Sequence, residues 1–245
     1  MPLAERDQHP AAFFKRSASV MHFPDPRAAN YGDIVAVGGN LEPSNLLAAY
    51  RRGIFPWPVE GCPLPWFSPR ERAILEWRDL HVPRRLARLR SRSPYRLTFD
   101  AAFPQVVLNC ALVERPEEAG TWITPGVLDA YCALHRLGHA HSVEAWEGDE
   151  LIGGVYGVDV GGAFAGESMF FLRPNASKLA LLHLFSHLNA RGLDWIDIQV
   201  MTPHMKALGA KVVSREVFLG KLENALARGL ELFPREAFEY HRDEV

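Results

Sequence analysis

The feature of the sequence that most restricts its fold is a run of three strand-like segments in residues 141–171, HSVEAWEGDELIGGVYGVDVGGAFAGESMFF. The short turns EGDE (147–150) and VGG (160–162) separate the segments. Turns of this length join antiparallel neighbours, because parallel strands need a crossover connection of a dozen or more residues. The run therefore predicts an antiparallel meander, against which the rest of the chain must pack.

Helix and strand signals flank the meander on both sides. Before it, the sequence predicts helices over residues 43–52, from about residue 83, over 100–113 and over 124–138, with a short strand YRLTF at 95–99. Asp100 and Thr124 are the expected N-caps of the last two helices, and Gly53 and Gly138 are expected to end helices. After it come an apolar helix in 175–192, the strand WIDIQV (195–200), a short helix PHMKALGA (203–210) and a last strand KVVSREVF (211–218).

The composition of the chain changes near residue 70. The preceding stretch is rich in Pro, Gly and Trp and too short to hold a large core, so it is expected to pack on something larger. We predict a small N-terminal domain, residues 1–70, with the first 20 or so frayed, and a larger domain, residues 71–245. The predicted fold class is α/β (α+β). The element order resembles that of the GNAT N-acyltransferases, an analogy that by itself gives no function.

Overall composition excludes few function classes. The 245 residues carry a net charge of -2, which neither favours nor opposes a nucleic-acid partner. Three widely spaced cysteines without a CxxC pattern suggest neither a zinc knuckle nor a disulfide framework. There is no secretory h-region and no apolar run of about 20 residues, so the sequence predicts a cytoplasmic protein without membrane contact.

Two apolar segments contain unexpected polar residues. FAGESMFF carries Glu167, and WIDIQV carries Asp197 and Gln199. Strand side chains alternate between faces, so Asp197 and Gln199 share one face, and a bulge at Gly166 could change which face Glu167 occupies. A buried carboxylate without a partner costs several kcal/mol. Single polar residues of this kind are often satisfied at strand ends, but three of them favour a cleft in which a cationic or amine-bearing ligand supplies the partner.

At these polar residues and along most of its length, the chain resembles the leucyl/phenylalanyl-tRNA–protein transferases. The resemblance is carried, in order along residues 22–220, by the motifs AVGGNL (36–41), AYRRGIFPW (49–57), WFSP (66–69), GTWITPG (120–126), LGHAHSVE (137–144), GESMF (166–170), NASK (175–178), IDIQV (196–200) and LGA (208–210).

The resemblance implies an activity and its partners. The enzyme would transfer Leu or Phe, with Met as a further candidate, from aminoacyl-tRNA to the N-terminal α-amine of proteins that begin with Arg or Lys. That reaction would mark those proteins for N-degron-dependent degradation. The resemblance also implies a small N-terminal domain on a GNAT-like catalytic domain and no cofactor, neither a metal nor coenzyme A. We expect a monomer.

The same resemblance assigns three catalytic residues. It places Glu167 near the α-amine of the transferred amino acid, and Asp197 and Gln199 near the reacting carbonyl. A literal proton relay through Gln199 is chemically poor, because an amide N–H is a very weak acid. We therefore expect Asp197 to fix Gln199 and to attract the cationic acceptor, while Gln199 orients the ester.

An apolar pocket for the transferred side chain is implied as well. The family positions fall on Trp57, Trp122, Phe164 and Met169, with Tyr131 close by in motif. Each of these aromatic residues could equally be ordinary core. Because a pocket separates side chains by only ~1–3 kcal/mol per methylene, selection among Leu, Met and Phe should be graded.

An arginine-rich helix is the expected tRNA contact. Arg84, Arg88 and Arg92 recur every four residues and share one face, with Arg85 beside them. A charge run is more often a solvated helix face, but acids are scarce nearby. We therefore favour phosphate binding with little base reading.

Some positions depart from the family pattern. Phe67 stands where a second Trp is common, Val155 where a larger side chain is, and Phe171 and Leu172 where polar residues are. These differences leave the order of preference among Leu, Phe and Met open.

Three other interpretations compete. A coenzyme A-dependent acetyltransferase would need a Q/R-x-x-G-x-G/A loop, in whose place the chain has RPNASK. A non-catalytic tRNA-binding module would have no use for the acid and amide residues. A metal site at His139 and His141 has strand spacing but no further ligand cluster.

Overall fold

The computed structural model describes residues 20–29, 32–113 and 121–234. The first 20 or so residues, predicted to be frayed, lie outside these ranges except for residue 20. Gly120, the first residue of the motif GTWITPG, lies outside them as well. Among the described residues, no helix is both long and apolar enough to cross a membrane.

The N-terminal part contains a small antiparallel sheet. Its strands are β1 (Ile34–Val37), β2 (Phe55–Pro56) and β3 (Pro65–Phe67), in the order β1-β3-β2. Helix α1 (Pro43–Tyr50) connects β1 to β2 and begins with proline, which suits the first helical turn. Gly53 follows α1 with φ +71°, and a Cβ there would lie 2.7 Å from the Phe218 ring. The predicted helix and its glycine stop are therefore present.

A seven-stranded sheet forms the larger part. Its strands are β4 (Glu71–Glu76), β5 (Arg96–Phe99), β6 (Ala140–Glu147), β7 (Glu150–Asp159), β8 (Phe164–Phe171), β9 (Trp195–Gln199) and β10 (Lys211–Ser214). Their order is β10-β4-β9-β8-β7-β6-β5, and all neighbours are antiparallel except β8 and β9. The predicted meander is confirmed as β6, β7 and β8.

Six further helices surround this sheet. They are α2 (Arg84–Arg92), α3 (Phe103–Leu112), α4 (Pro125–Arg136), α5 (Ala176–Ala190), α6 (Pro203–Ala207) and α7 (Arg215–Arg228). Helix α5 is the crossover connection that the parallel neighbours β8 and β9 require.

Two glycines of β7 let helices approach the sheet on both faces. A Cβ on Gly153 would lie 2.6 Å from the Ala176 Cβ at the start of α5, and one on Gly154 would lie 3.1 Å from a Val106 methyl carbon of α3. Successive strand residues face opposite sides, so α5 and α3 cover opposite faces of the sheet. Mixed helices and strands in this arrangement confirm the predicted α/β class.

Two predicted element ends are wrong. Asp100 does not cap α3: its Oδ1 accepts a hydrogen bond from the Ser142 N–H at 2.8 Å, and Ala102 is the N-cap. The last strand stops at Ser214, whose side chain accepts from the Val217 N–H at 3.3 Å and begins α7. The Thr124 cap of α4 is as predicted, accepting from the Val127 N–H.

The core of the described residues is continuous between the two sheets. Buried Phe23, Leu46 and Trp66 belong to the same apolar cluster as Ile74 and Phe218. The small sheet therefore packs on the larger one. The division at residue 70 falls between β3 and β4 and stays a prediction.

Candidate active site

The strands that carry the three polar insertions are neighbours. Strands β8 and β9 run parallel, with Ala165 opposite Asp197. Gln199 Nε2 donates to Glu167 Oε1 at 2.8 Å, and the Gln199 N–H donates to Asp197 Oδ1 at 2.9 Å. The structure thus joins Glu167, Gln199 and Asp197 in one hydrogen-bonded chain.

Irregular backbone aims two of these side chains. Tyr156 pairs with Ser168 and Gly157 with Gly166, so Glu167 is the extra residue of a β-bulge. The sequence allowed a bulge at Gly166, and the structure places the extra residue one position later. Gln199 ends β9 with φ +60°, a conformation uncommon outside glycine and found more often at functional sites. The simple alternation of faces therefore does not hold at Glu167.

Two tyrosines hold the Glu167 carboxylate from the other side. Tyr50 Oη donates to Oε1 at 2.7 Å, and the single proton of Tyr131 Oη is shared between Oε2, at 3.3 Å, and the closer Tyr50 Oη. Burial raises the pKa of both phenols, so both stay protonated donors. Tyr50 lies on α1 and Tyr131 on α4, so the small N-terminal part contributes directly to the site.

Glu167 has a pKa near neutrality. Desolvation by the surrounding protein atoms is the largest influence and raises the pKa to about 7. The hydrogen bond from Tyr50 lowers it, and the charge of Asp197 raises it further. A carboxyl group with this pKa can change protonation state under physiological conditions, which is typical of functional sites.

Asp197 has a partner within the chain. Arg72 Nε and Nη2 donate to the two carboxylate oxygens of Asp197 at 2.8 and 2.7 Å, with Arg72 1% and Asp197 5% exposed. The guanidinium lies between the rings of Phe55 and Phe218, at 4.6 and 4.5 Å from their centroids. Arg72 therefore gives Asp197 a cationic partner within the chain, and the expected attraction of Asp197 for the cationic acceptor stays a prediction.

Some of the predicted pocket residues form one aromatic group. The rings of Trp57 and Trp122 are 5.9 Å apart, and those of Trp122 and Tyr131 are 6.5 Å apart. Since Tyr131 also contacts Glu167, the aromatic group lies next to the Glu167 carboxylate. Met169 is half-buried and faces Val155 across β7 and β8.

Phe164 is outside this aromatic group, although it lines a small cavity together with Tyr50 and Asp197. Its ring is 5.7 Å from that of Phe233 and its side chain is fully buried, so it occupies a core position. The structure therefore brings Trp57, Trp122 and Tyr131 together, and it does not add Phe164 to them.

A groove of about 890 Å³ is lined by Trp57 and by residues of or next to the neighbouring strands β10, β4 and β9. Its charged lining residues are Asp33, Arg70 and Glu71, and its apolar walls include Val200 and Val212. The other predicted pocket residues do not line it. We refer to it as the Glu71 groove.

The predicted tRNA-contact arginines lie on an exposed helix. Arg84, Arg85, Arg88 and Arg92 all belong to α2 and are exposed, whereas Leu86 of the same helix is buried. Within the described ranges none of the four forms an ion pair. Their charges are therefore free to meet a polyanion.

The histidine pair of the meander has other contacts. His141 Nδ1 lies 2.7 Å from Asp100 Oδ2, and its ring stacks on Phe233 with centroids 3.8 Å apart. In the part of the chain that the structure describes, no three His, Cys, Asp or Glu side chains are placed to hold a metal ion.

Sequence reasoning missed Arg72 and Tyr50. Each of the two residues has a sequence context that could have indicated its role. Arg72 is a charged residue directly before the apolar residues AIL (73–75), and Tyr50 lies inside the motif AYRRGIFPW.

Comparison with known proteins gives a consistent result. The family described as leucyl/phenylalanyl-tRNA protein transferase matches residues 74–223, and its N-terminal domain matches residues 39–70. A leucyl/phenylalanyl-tRNA–protein transferase of Anaeromyxobacter sp. (strain K) is 50% identical over 204 residues, covering 83% of this chain and 88% of the relative. Enzymes of the same name from Magnetococcus marinus and Shigella dysenteriae are 47% and 48% identical, over 88% and 82% of this chain and 93% and 85% of their own lengths.

Proposed function

The chain belongs to the leucyl/phenylalanyl-tRNA–protein transferase family and is an aminoacyltransferase that moves an amino acid from tRNA to proteins. From this premise we propose that the donor amino acid is Leu or Phe, with Met as a further candidate, and that the acceptor is the N-terminal α-amine of proteins beginning with Arg or Lys. The modified proteins then enter N-degron-dependent degradation. We also propose a cytoplasmic monomer with a small N-terminal domain, residues 1–70, on a catalytic domain, residues 71–245.

The observation that carries the proposal is the contact between Glu167 and Gln199 beneath the two tyrosines. An acid and an amide on adjacent strands, next to an aromatic group, can hold an α-ammonium and an ester carbonyl at the same time. Such an arrangement suits an aminoacyl ester better than a substrate without an amine.

The reaction itself is the aminolysis of an ester. The neutral acceptor amine attacks the carbonyl carbon, the tetrahedral intermediate collapses, and the 3′-oxygen of the tRNA leaves with a proton while an amide bond forms. Aligning the two reactants can supply about 7–11 kcal/mol of the barrier. The site therefore acts chiefly by positioning the donor and by interacting with charge that develops on the carbonyl.

Each polar residue has a distinct proposed role. Glu167, when ionised, pairs with the α-ammonium of the donor amino acid. Gln199 orients the ester carbonyl. Asp197 holds the Gln199 backbone through its N–H, and Arg72 fixes Asp197, so this pair positions the amide rather than contacting substrate.

The aromatic group supplies selectivity for the donor side chain. Trp57 and Trp122 are half-buried and close to Tyr131, so they offer an apolar surface beside the carboxylate. Phe164 and Met169 are proposed as supporting wall residues, Phe164 from its core position. Graded preference among Leu, Phe and Met follows from the small free-energy difference per methylene.

Helix α2 is proposed to contact the tRNA. Its exposed arginines, Arg84, Arg85, Arg88 and Arg92, would neutralise backbone phosphates and carry little sequence information.

Radiolabelled Phe-tRNA and Leu-tRNA, offered with peptides that begin with Arg, Lys, Asp or Glu, test the proposal. We expect label on the Arg and Lys peptides from both donors. Transfer to the acidic peptides instead would contradict the proposed acceptor class.

A puromycin-like aminoacyl adenosine separates the competing functions. We expect it to bind and to inhibit transfer, whereas an acetyltransferase would use acetyl-coenzyme A and ignore the adenosine. Binding of the adenosine and of tRNA without any peptide product would indicate a binding module.

A further inference from the structure

The Glu71 groove adjoins the candidate active site through the register of the sheet. Val212 of β10 pairs with Ala73 of β4, and Ala73 pairs in turn with Gln199 of β9. Val212, Ala73 and the Val200 that follows Gln199 all line the groove. The groove therefore lies along the same row of the sheet that ends in Gln199.

The groove carries an unpaired negative charge. Arg70 Nε lies 3.6 Å and Arg215 Nη2 3.8 Å from Asp33 Oδ1, so arginines of the chain neutralise Asp33. Glu71 is exposed and has no ion-pair partner among residues 20–29, 32–113 and 121–234. Of the two acids that line the groove, Glu71 is therefore the one that a cationic ligand can meet.

Apolar side chains border this charge. Val200 and Val212 are each 46% exposed, and the half-buried Trp57 belongs both to the groove lining and to the aromatic group. A ligand with an aliphatic stem and a cationic head would satisfy both parts of this surface, as the stems of Arg and Lys cover apolar surface while the head stays hydrated.

We propose that the Glu71 groove binds the first residue of the acceptor protein, with the Glu71 carboxylate facing its cationic side chain. This inference rests on the proposed function, which it extends by assigning a place to the acceptor. The donor tRNA is a poorer occupant, since its phosphates would meet the unpaired acid. The basic surface suited to those phosphates is on α2 instead.

Peptide binding tests the inference without depending on catalysis. Dye-labelled peptides that begin with Arg or with Gln are titrated with the full-length protein, and the anisotropy gives each Kd. For Glu71→Gln we expect the Kd of the Arg peptide to rise about threefold, and for Glu71→Lys about tenfold, with the Gln peptide unchanged.

Asp149→Lys is the matched control. Asp149 is also an exposed acid, it lies in the turn between β6 and β7, and it does not line the groove. We expect its substitution to leave both values unchanged, because the same change in net charge is then made away from the peptide.

A steric pair of variants gives a second readout. Val212→Trp places a large ring in the groove, whereas Val217→Trp adds the same ring at an exposed position of α7 outside it. In the transfer reaction we expect the first variant to raise KM for the Arg peptide about tenfold with KM for Phe-tRNA unchanged, and the second to alter neither.

Equal Kd values for wild type and Glu71→Lys would overturn the inference. So would an increase confined to KM for Phe-tRNA, since the groove would then belong to the donor. Absence of transfer by the wild type, with Arg-peptide binding that still depends on Glu71, would reject the proposed function and leave the groove as a binding site. Failure to bind either peptide would reject both.

Discussion

At the scale of single residues, the pKa and the placement of Glu167 depend on the groups around it. Burial raises its pKa to about 7, while the hydroxyl of Tyr50 stabilises the ionised form. Two strand irregularities, the bulge at Glu167 and the left-handed backbone of Gln199, bring the acid and the amide within 2.8 Å. These conformations were not deducible from the period-2 alternation of a strand.

Transfer activity should therefore depend on pH through Glu167. Below a pKa of about 7 the carboxyl is neutral and loses its attraction for the donor ammonium, and above it the carboxylate is ionised. The wild-type kcat/KM for Phe-tRNA, divided by that of Glu167→Gln at the same pH, should rise about tenfold from about pH 5.5 to about pH 7, a range in which the donor α-amine stays largely protonated. Division by the variant removes the titration of the acceptor amine, and a ratio that stays constant would contradict this role.

What the sequence could reveal of the site follows from residue chemistry. Glu167, Asp197 and Gln199 were visible because polar groups stood in apolar runs. Their partners Arg72 and Tyr50 are 125 and 117 residues away along the chain from Asp197 and Glu167, and no local pattern indicates such pairings. The strand order that joins them depends on tertiary packing.

At the scale of elements, local signals worked best where hydrophobic periodicity was long and caps were clear. The meander and α5 were predicted for that reason. Helix α7 was missed because its first residues continue the β-branched pattern of KVVSREVF, and only the Ser214 side chain marks the change. Strand β4 was missed because its sequence, ERAILE, has only three consecutive apolar residues between charged ones.

The Arg72–Asp197 pair should be a major link between strands β4 and β9. Replacing Arg72 by Met leaves Asp197 buried without its cation, which should lower the free energy of unfolding by about 3–5 kcal/mol. Urea denaturation measures the change. Arg78→Met is the control, because the Arg78–Glu76 pair is exposed at its arginine end and solvent screens it. Equal effects of the two substitutions would show that burial does not strengthen the Arg72 pair.

The exposed arginines of α2 lead to a prediction about how tRNA binding depends on salt concentration. If its arginines contact phosphates, binding of tRNA should weaken steeply with ionic strength, and Arg88→Gln should reduce the slope of log K against log salt by about 1. Filter binding at several salt concentrations provides the slope. Arg90→Gln is the control on the same helix, because Arg90 lies on another face and donates to Ser186. A slope unchanged by Arg88→Gln would remove that arginine from the tRNA contact.

At the scale of the whole molecule, the site depends on both sheets. Tyr50 and Trp57 come from the small N-terminal part, while Glu167, Asp197 and Gln199 come from the interior strands β8 and β9, which run parallel. The continuous core holds these parts in register. The α/β class could be predicted from element order, but the shared construction of the site could not, because it arises from contacts between segments far apart in sequence.

The rate of Phe transfer in a single turnover tests the central claim most directly. Gln199→Gly removes the amide that contacts Glu167, and glycine accepts the positive φ at this position without strain. With Phe-tRNA and an Arg peptide saturating, the rate constant of the variant should fall about a hundredfold, while the exposed Gln105→Ala should match the wild type. A Gln199→Gly enzyme that transfers Phe at the wild-type rate would contradict the account.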